Sequence, residues 1–189
     1  EITTYNKPQV TFGYTGIDLF DNSYDFDDVR IDGKPVTEAM VRTGGWKVNN
    51  GTLTPDANRW NYILMGDSAA HDYTFSMKLR RNKGSGPVQL RVRDNGKNGE
   101  ANDHIAVSIT PGSCEFYRSS GAVKDTLRSP KIYFFESNRW YDVKVVCKDE
   151  TVSCYVDGVL LHEVVLPPLP SLVSVATLNV LRAEGYPAN

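Results

Sequence analysis

The feature that most constrains the fold of this chain is the alternation of apolar and polar residues along several stretches. Between Asp72 and Arg81 every second residue is Tyr, Phe, Met or Leu, and the residues between them are Thr, Ser, Lys and Arg. Pro87–Arg93 and His104–Thr110 alternate in the same way. Because successive side chains of a strand point to opposite faces of a sheet, this period predicts half-buried antiparallel strands.

Short strands separated by tight turns are predicted along most of the chain. Asp32-Gly33, Asn50-Gly51 and Asp157-Gly158 supply the positive φ angles that such turns require. Many short strands with turn signals at close intervals predict an all-β fold, either a sandwich or a barrel. Further strands are expected at Val10–Thr15, Tyr24–Ile31, Trp46–Val48, Tyr62–Met65, Cys114–Arg118, Lys131–Phe135, Trp140–Cys147, Val152–Val156 and Val159–Val164.

The composition excludes several functional classes. Apolar residues make up 40% of the chain and charged residues 23%, which excludes intrinsic disorder. The net charge of −2 lacks the basic excess of nucleic-acid-binding proteins. No apolar run approaches the ~20 residues that span a bilayer. We therefore expect neither a nucleic-acid partner nor a membrane span. Cys114, Cys147 and Cys154 are expected to be small apolar core residues.

Two segments resemble concanavalin A-like (laminin G-like) β-sandwiches. Such folds commonly begin with the pattern Trp-x-Val-x-x-Gly-x-Leu, which is present from Trp46 to Leu53. The hairpin from Arg139 to Gly158 is similar to their closing hairpin. The resemblance implies an antiparallel two-sheet β-sandwich, a concanavalin A-like jelly roll, over residues 45–166.

The resemblance also divides the chain into parts. Residues 167–189 are expected to form a proline-rich surface connector and a C-terminal strand. In residues 1–44, Tyr24–Ile31 resembles the final strand of such sandwiches, although it comes first. Two alternatives stay open: residues 1–44 belong to a permuted sandwich, or they end an upstream unit. Because the sequence starts at Glu1, we expect a processed protein or a piece of a longer one.

A third segment resembles the accessory β-modules of secreted α-L-arabinofuranosidases, which are glycoside hydrolases. Leu160–Glu163 is followed by Pro167–Leu172 and then by Val175-Ala176, as in those modules. The resemblance implies a non-catalytic carbohydrate-binding module of a secreted or periplasmic protein that acts on plant polysaccharide. Its partners would be an oligo- or polysaccharide and the catalytic domain of the same parent chain.

Catalytic motifs are missing from the sequence. The Glu-x-Asp-x(-x)-Glu run of glucanases with this fold is absent, as are Gly-x-Ser-x-Gly and His-Glu-x-x-His. We therefore predict that the chain is not catalytic by itself. Two alternatives remain, namely a hydrolase domain that acts on modified disaccharides and a laminin G-like adhesion or interaction module.

Long hydrogen-bond donors on one sheet face predict a carbohydrate-binding surface. The strands at 72–81, 87–93 and 104–110 are expected to pair as a meander, and the loop Asp94–Asp103 is expected to lie over its edge. Exposed Trp60 offers a ring on which a sugar can stack. The predicted binding residues are Lys78, Arg80, Gln89, Arg91, Arg93, His104 and Trp60.

Three aspartates near the N-terminus suggest a structural calcium site. Asp18, Asp21 and Asp25 are carboxylates close to turns, and carboxylate and carbonyl oxygens suit that ion. The alternative is a solvated edge strand or turn. No other cofactor is expected.

Overall fold

Two antiparallel sheets form the fold. The structure is a computed structural model, and it describes residues 12–20, 23–37, 41–57, 59–82, 84, 86–97 and 102–166. Within these ranges there are fifteen strands and no helix. The described residues accordingly contain no helix that is long and apolar enough to cross a membrane. The prediction of an all-β, two-sheet β-sandwich is confirmed.

The first sheet has seven strands within the described ranges. Their spatial order is β12 (Val123–Ile132), β11 (Ser113–Ser120), β10 (Asp103–Ile109), β9 (Val88–Asp94), β1 (Tyr14–Leu19), β7 (Asn61–Met65) and β4 (Val41–Thr43).

The second sheet has eight strands within the same ranges. Seven of them follow one another as β15 (Val159–Val165), β14 (Thr151–Val156), β13 (Trp140–Lys148), β8 (Tyr73–Arg81), β2 (Tyr24–Ile31), β6 (Thr52–Pro55) and β5 (Trp46–Asn49). The short β3 (Lys34–Pro35) pairs with β2 alone.

The core lies between the sheets and contains the apolar residues of the alternating stretches. Phe75 and Leu79 of β8, Leu90 of β9 and Val107 of β10 are fully buried in one cluster. Burying such a side chain contributes roughly 1.5–3 kcal/mol. Cys114, Cys147 and Cys154 are buried and form no disulfide bond, as expected for small core residues.

The residues that precede position 45 supply strands to both sheets. β1 lies between β9 and β7, and β2 lies between β8 and β6. The strand predicted at Val10–Thr15 is displaced: Val10 and Thr11 lie outside the described residues, Phe12 and Gly13 are not in a strand, and β1 runs from Tyr14 to Leu19. The connector predicted at 167–189 also lies outside them.

The predicted three-strand meander is wrong, because β8 belongs to the second sheet. β9 and β10 pair with each other in the first sheet, as expected, but β8 pairs with β13 and β2. The chain passes from one sheet to the other after Arg81. Alternation shows which face of a strand is buried but does not show which sheet the strand joins.

The strand predicted at Lys131–Phe135 is also misplaced. The strand there is β12, which begins at Val123 and ends at Ile132. β12 is the edge strand of the first sheet and is mostly exposed. An edge strand of this kind needs no apolar alternation, so the periodicity does not reveal it.

Candidate functional site

The outer face of the first sheet carries a cluster of buried polar side chains. The two neighbours of Asp18 in β1 are fully or almost fully buried in the core, so Asp18 points to the opposite face. The same alternation places Arg91 of β9 and His104 of β10 on that face. Asp18 and Asp94 have no exposed surface, and His104 is 2% exposed. We call Asp18, Tyr62, Arg91, Asp94 and His104 the polar cluster.

Arg91 is the centre of the polar cluster. Its Nη2 donates to Asp18 Oδ2, and its Nη1 donates to Asp94 Oδ2 at 3.1 Å. The guanidinium lies 4.6 Å from the centre of the Tyr62 ring. Its Nε is buried without a hydrogen-bond partner among the described residues. Two carboxylates and one ring therefore fix the orientation of the cation.

A β-bulge brings Asp94 to this face. Arg93 has a φ of +52°, and the register between β1 and β9 shifts at this position. The side chain of Arg93 is fully buried and donates to the carbonyl oxygen of Asp149. The prediction that Arg93 lies on the sugar-binding face is wrong, because the bulge interrupts the alternation.

Asp94 is held by four donors, one of which is Asn102 Nδ2, 3.5 Å from Oδ1. Its Oδ2 accepts from Arg91 and, at 3.2 Å, from the hydroxyl of Tyr62. Its Oδ1 accepts from the backbone N–H of Gly96 at 2.8 Å. Gly96 has a φ of +70°, and a Cβ there would lie 2.8 Å from the ring of Tyr14. The turn after β9 therefore requires glycine and orients the carboxylate.

His104 is a neutral imidazole in this setting. Its Nδ1 lies 2.6 Å from Asn102 Oδ1, and its Nε2 is buried without a partner among the described residues. Burial, together with the positive charge of Arg91, lowers the pKa of His104 to about 3.

The other two titratable members also have shifted pKa values. Burial raises the pKa of Asp18 above its usual value, and Arg91 opposes that shift. Burial and the charge of Asp94 raise the pKa of Tyr62, so its hydroxyl stays protonated. Asp18 Oδ1 has no hydrogen-bond partner of good geometry within the described ranges, although the side chain of Trp60 also acts to lower the pKa of this carboxyl. Unpartnered atoms of Asp18, Arg91 and His104 thus lie in one cluster, which is typical of a site that binds a ligand.

A cavity of about 330 Å³ opens beside the polar cluster. Trp60 lies at this cavity with half of its surface exposed, as predicted, and its ring centre is 6.0 Å from that of Phe20. The two rings form an exposed aromatic edge. The lining includes Trp60, Tyr62, Arg91, Lys97, Asn102 and His104.

The predicted binding residues are divided between the two sheets. Gln89, Arg91 and His104 share the outer face of the first sheet. Lys78 and Arg80 lie on the outer face of the second sheet and cannot reach the same ligand. This separation corrects the prediction of a single face.

The second-sheet residues have their own surroundings. Arg80 pairs with Asp25 at 2.6 Å and lies 4.6 Å from the centre of the Trp140 ring. Lys78 borders a separate cavity of about 340 Å³ with Lys144.

The described aspartates of the predicted calcium site are far apart in the fold. Asp18 pairs with Arg91 in the first sheet, and Asp25 pairs with Arg80 in the second. Asp21 lies outside the described residues. Among the described residues, no group of three or more His, Cys, Asp or Glu side chains could hold a metal ion. The calcium site stays a prediction.

Sequence reasoning missed Asp94 and Asn102 as members of the site. Both lie in the segment that was predicted to cover its edge, and Lys97 and Asn102 of that segment line the cavity. The signal available was the Asp94-Asn95-Gly96 turn, since an aspartate side chain often bonds to the backbone two residues later.

The fold and the site define a carbohydrate-related β-sandwich domain. The model of the 3-keto-alpha-glucoside-1,2-lyase-like domain matches residues 17–179, which is most of the chain. The chain belongs to this family. No curated protein and no solved structure matches it significantly. The resemblance to arabinofuranosidase modules therefore stays a prediction.

Proposed function

We propose that this chain cleaves a 3-keto glucoside by 1,2-elimination at the polar cluster. The family supports the substrate class. The observation that carries the proposal is that Arg91 and His104 line one cavity and that each has a buried nitrogen, Arg91 Nε and His104 Nε2, without a partner among the described residues. His104 Nε2 is suited to accept a proton and Arg91 Nε to donate to an oxyanion.

The chemistry follows from the ketone at C3 of the sugar. A carbonyl acidifies the hydrogen on the adjacent C2, so a base can remove it and leave an enolate. The C2–H electrons then form the C1=C2 double bond, and the C1–O1 bond breaks. O1 leaves with the aglycone and takes up a proton. The products are an unsaturated keto sugar and a free alcohol, and no oxidant or reductant is consumed.

His104 is the proton acceptor in this proposal. Its imidazole is neutral because burial and Arg91 lower its pKa. The positive charge of Arg91 is one cause of the low pKa of His104. A negatively charged enolate beside Arg91 offsets that charge. The proton affinity of Nε2 therefore rises as the negative charge develops on the substrate.

Arg91 is the electrostatic partner of the enolate. Asp18 and Asp94 hold its guanidinium, and Tyr62 lies against one face of it. A donor that is already oriented stabilises a developing oxyanion without a reorganisation cost. Arg91 is mostly buried, with 14% of its side chain exposed, which strengthens the interaction relative to water.

A non-catalytic carbohydrate-binding module is the second candidate function. The exposed Phe20–Trp60 edge favours it, because stacking of a sugar on aromatic rings requires no reaction. A module of this kind, as in α-L-arabinofuranosidases, would bind a glycan at the cavity and release it unchanged.

The two candidates are separated by incubation with a 3-keto α-glucoside that carries a chromogenic aglycone. A lyase releases the aglycone and produces the ultraviolet absorbance of the conjugated ketone. The matching glucoside without the ketone is the control and should not react, because its C2–H is not acidified. Binding of the 3-keto sugar without aglycone release would overturn the proposal and favour the binding module.

A further inference from the structure

The side-chain amide of Asn102 has a defined orientation. Its Nδ2 lies 2.7 Å from the carbonyl oxygen of Lys97. A carbonyl oxygen only accepts hydrogen bonds, so the atom facing it is the NH2 group. The amide oxygen, Oδ1, therefore faces His104 Nδ1 at 2.6 Å.

This orientation determines the tautomer of His104. An amide oxygen cannot donate, so the hydrogen in the short contact lies on Nδ1 of the imidazole. Asp94 Oδ2, 3.9 Å from Nδ1, favours a hydrogen at the same position. A neutral imidazole carries one N–H, which leaves Nε2 with a free lone pair.

Other charged and polar groups around the ring agree with this assignment. Burial, followed by the positive charge of Arg91, lowers the pKa of His104 and keeps the ring in a single-hydrogen form. Ser119 of β11 lies opposite His104 in the sheet, and Lys97 lies in the loop that precedes β10. Asp94 is thus the carboxylate that faces Nδ1 within salt-bridge distance in the described ranges.

The backbone holds Asn102 against movement. Its carbonyl oxygen accepts from the N–H of Gly121 at 2.7 Å, in the turn between β11 and β12. The N–H of Asn95 donates to the carbonyl oxygen of Asp103 at 3.0 Å. The backbone at Asn102 and Asp103 is therefore hydrogen-bonded to two neighbouring turns.

We propose that Asn102 is a positioning residue that selects the Nδ1–H tautomer of His104 and so directs the Nε2 lone pair towards the C2 hydrogen of the substrate. The tautomer selection stands on the geometry alone. The role in proton transfer rests on the proposed function.

The first test is a two-bond ¹H–¹⁵N correlation spectrum of the imidazole in the full chain. In the wild type we expect Nδ1 to be protonated and Nε2 to be unprotonated. N102A should yield an Nε2–H population, and N102D should retain Nδ1–H, because a carboxylate also accepts. N49A, an exposed asparagine in β5, is the matched control and should leave the spectrum unchanged.

The second test is the pH profile of kcat/KM on the 3-keto glucoside. N102A should lower kcat by about 10- to 100-fold, as is usual for the loss of an orienting hydrogen bond. In N102D the added carboxylate favours the protonated imidazole, so the acidic limb should move to higher pH. Circular dichroism verifies the fold of each variant.

The outcomes separate the two proposals. Nε2–H in the wild type, or an unchanged tautomer in folded N102A, would overturn the role of Asn102 whether or not the chain is a lyase. Tautomer selection by Asn102 in a chain that does not cleave the 3-keto glucoside would support the tautomer selection and overturn the proposed reaction together with the role in proton transfer.

Discussion

Arg91 and Asp94 form an ion pair of 3.1 Å although they are three residues apart on the same strand. In a regular strand, residues with this spacing point to opposite faces. The bulge at Arg93, where φ is positive, inserts one extra residue into β9, so both side chains point to the outer face. The centre of the candidate site therefore depends on an irregularity of β9.

Loss of the Arg91 guanidinium should strongly destabilise the fold. R91M keeps the length of the side chain but leaves Asp18 and Asp94 as buried charges without their cation. Breaking a buried pair in this way costs about 3–5 kcal/mol. Urea denaturation measures the free energy of unfolding.

R30M is the matched control for R91M. Arg30 pairs with Asp28 at 2.7 Å, but both side chains are well exposed. Such a pair contributes about 0–1 kcal/mol. If R91M costs no more than R30M, Arg91 does not neutralise the two carboxylates.

Gly96 should tolerate alanine less well than Gly33. Both glycines have a positive φ, so alanine is strained at either position by about 1–3 kcal/mol. At Gly96 the added Cβ also meets the Tyr14 ring, whereas at Gly33 no atom lies within 4 Å. Chemical denaturation of G96A and G33A measures the difference, and equal losses would contradict the importance of the Tyr14 contact.

His104 should make the folded state less stable in acid. Its pKa is about 3 in the fold and 6.5 in the unfolded chain, so only the unfolded chain takes up a proton between these values. Stability contributed by the neutral ring is present above pH 6.5 and is lost as the pH falls towards 3. The loss amounts to about 4–5 kcal/mol.

Substitution isolates this contribution. H104N removes the titrating ring, so the difference in unfolding free energy between H104N and the wild type should change across this pH range. H71N, at an exposed histidine, controls for the substitution itself. A difference that is constant with pH would show that His104 is not held neutral in the fold.

Trp60 should contribute to binding of the substrate rather than to the chemical step. W60A removes one ring of the exposed edge and should raise KM by about 2- to 10-fold with little change in kcat, since one aromatic contact is worth roughly 0.5–1.5 kcal/mol. W140A is the control, because Trp140 lies under Arg80 on the other sheet. An equal effect of both variants would contradict the location of the site.

The alternation pattern predicts much of this fold and part of the site, for a physical reason. Inward and outward positions follow from period two, so the burial of Phe75 and the outward position of Arg91 are both predictable. The same pattern cannot reveal that β8 joins the other sheet, because sheet membership depends on contacts between distant residues. It also fails at Arg93, where a bulge reverses the direction of the side chain.

The central position of β1 has a consequence for how the protein is made. β1 pairs with β7 and β9, so Asp18 meets Arg91 across 73 positions of the chain. Contacts between residues so far apart in the sequence slow folding, because the chain loses the entropy of closing a long loop before the paired strands stabilise it. During translation, the middle of the first sheet stays incomplete until the ribosome has released the residues of β9. Until then the edge of β1 that pairs with β9 stays open to a chaperone or a neighbouring nascent chain.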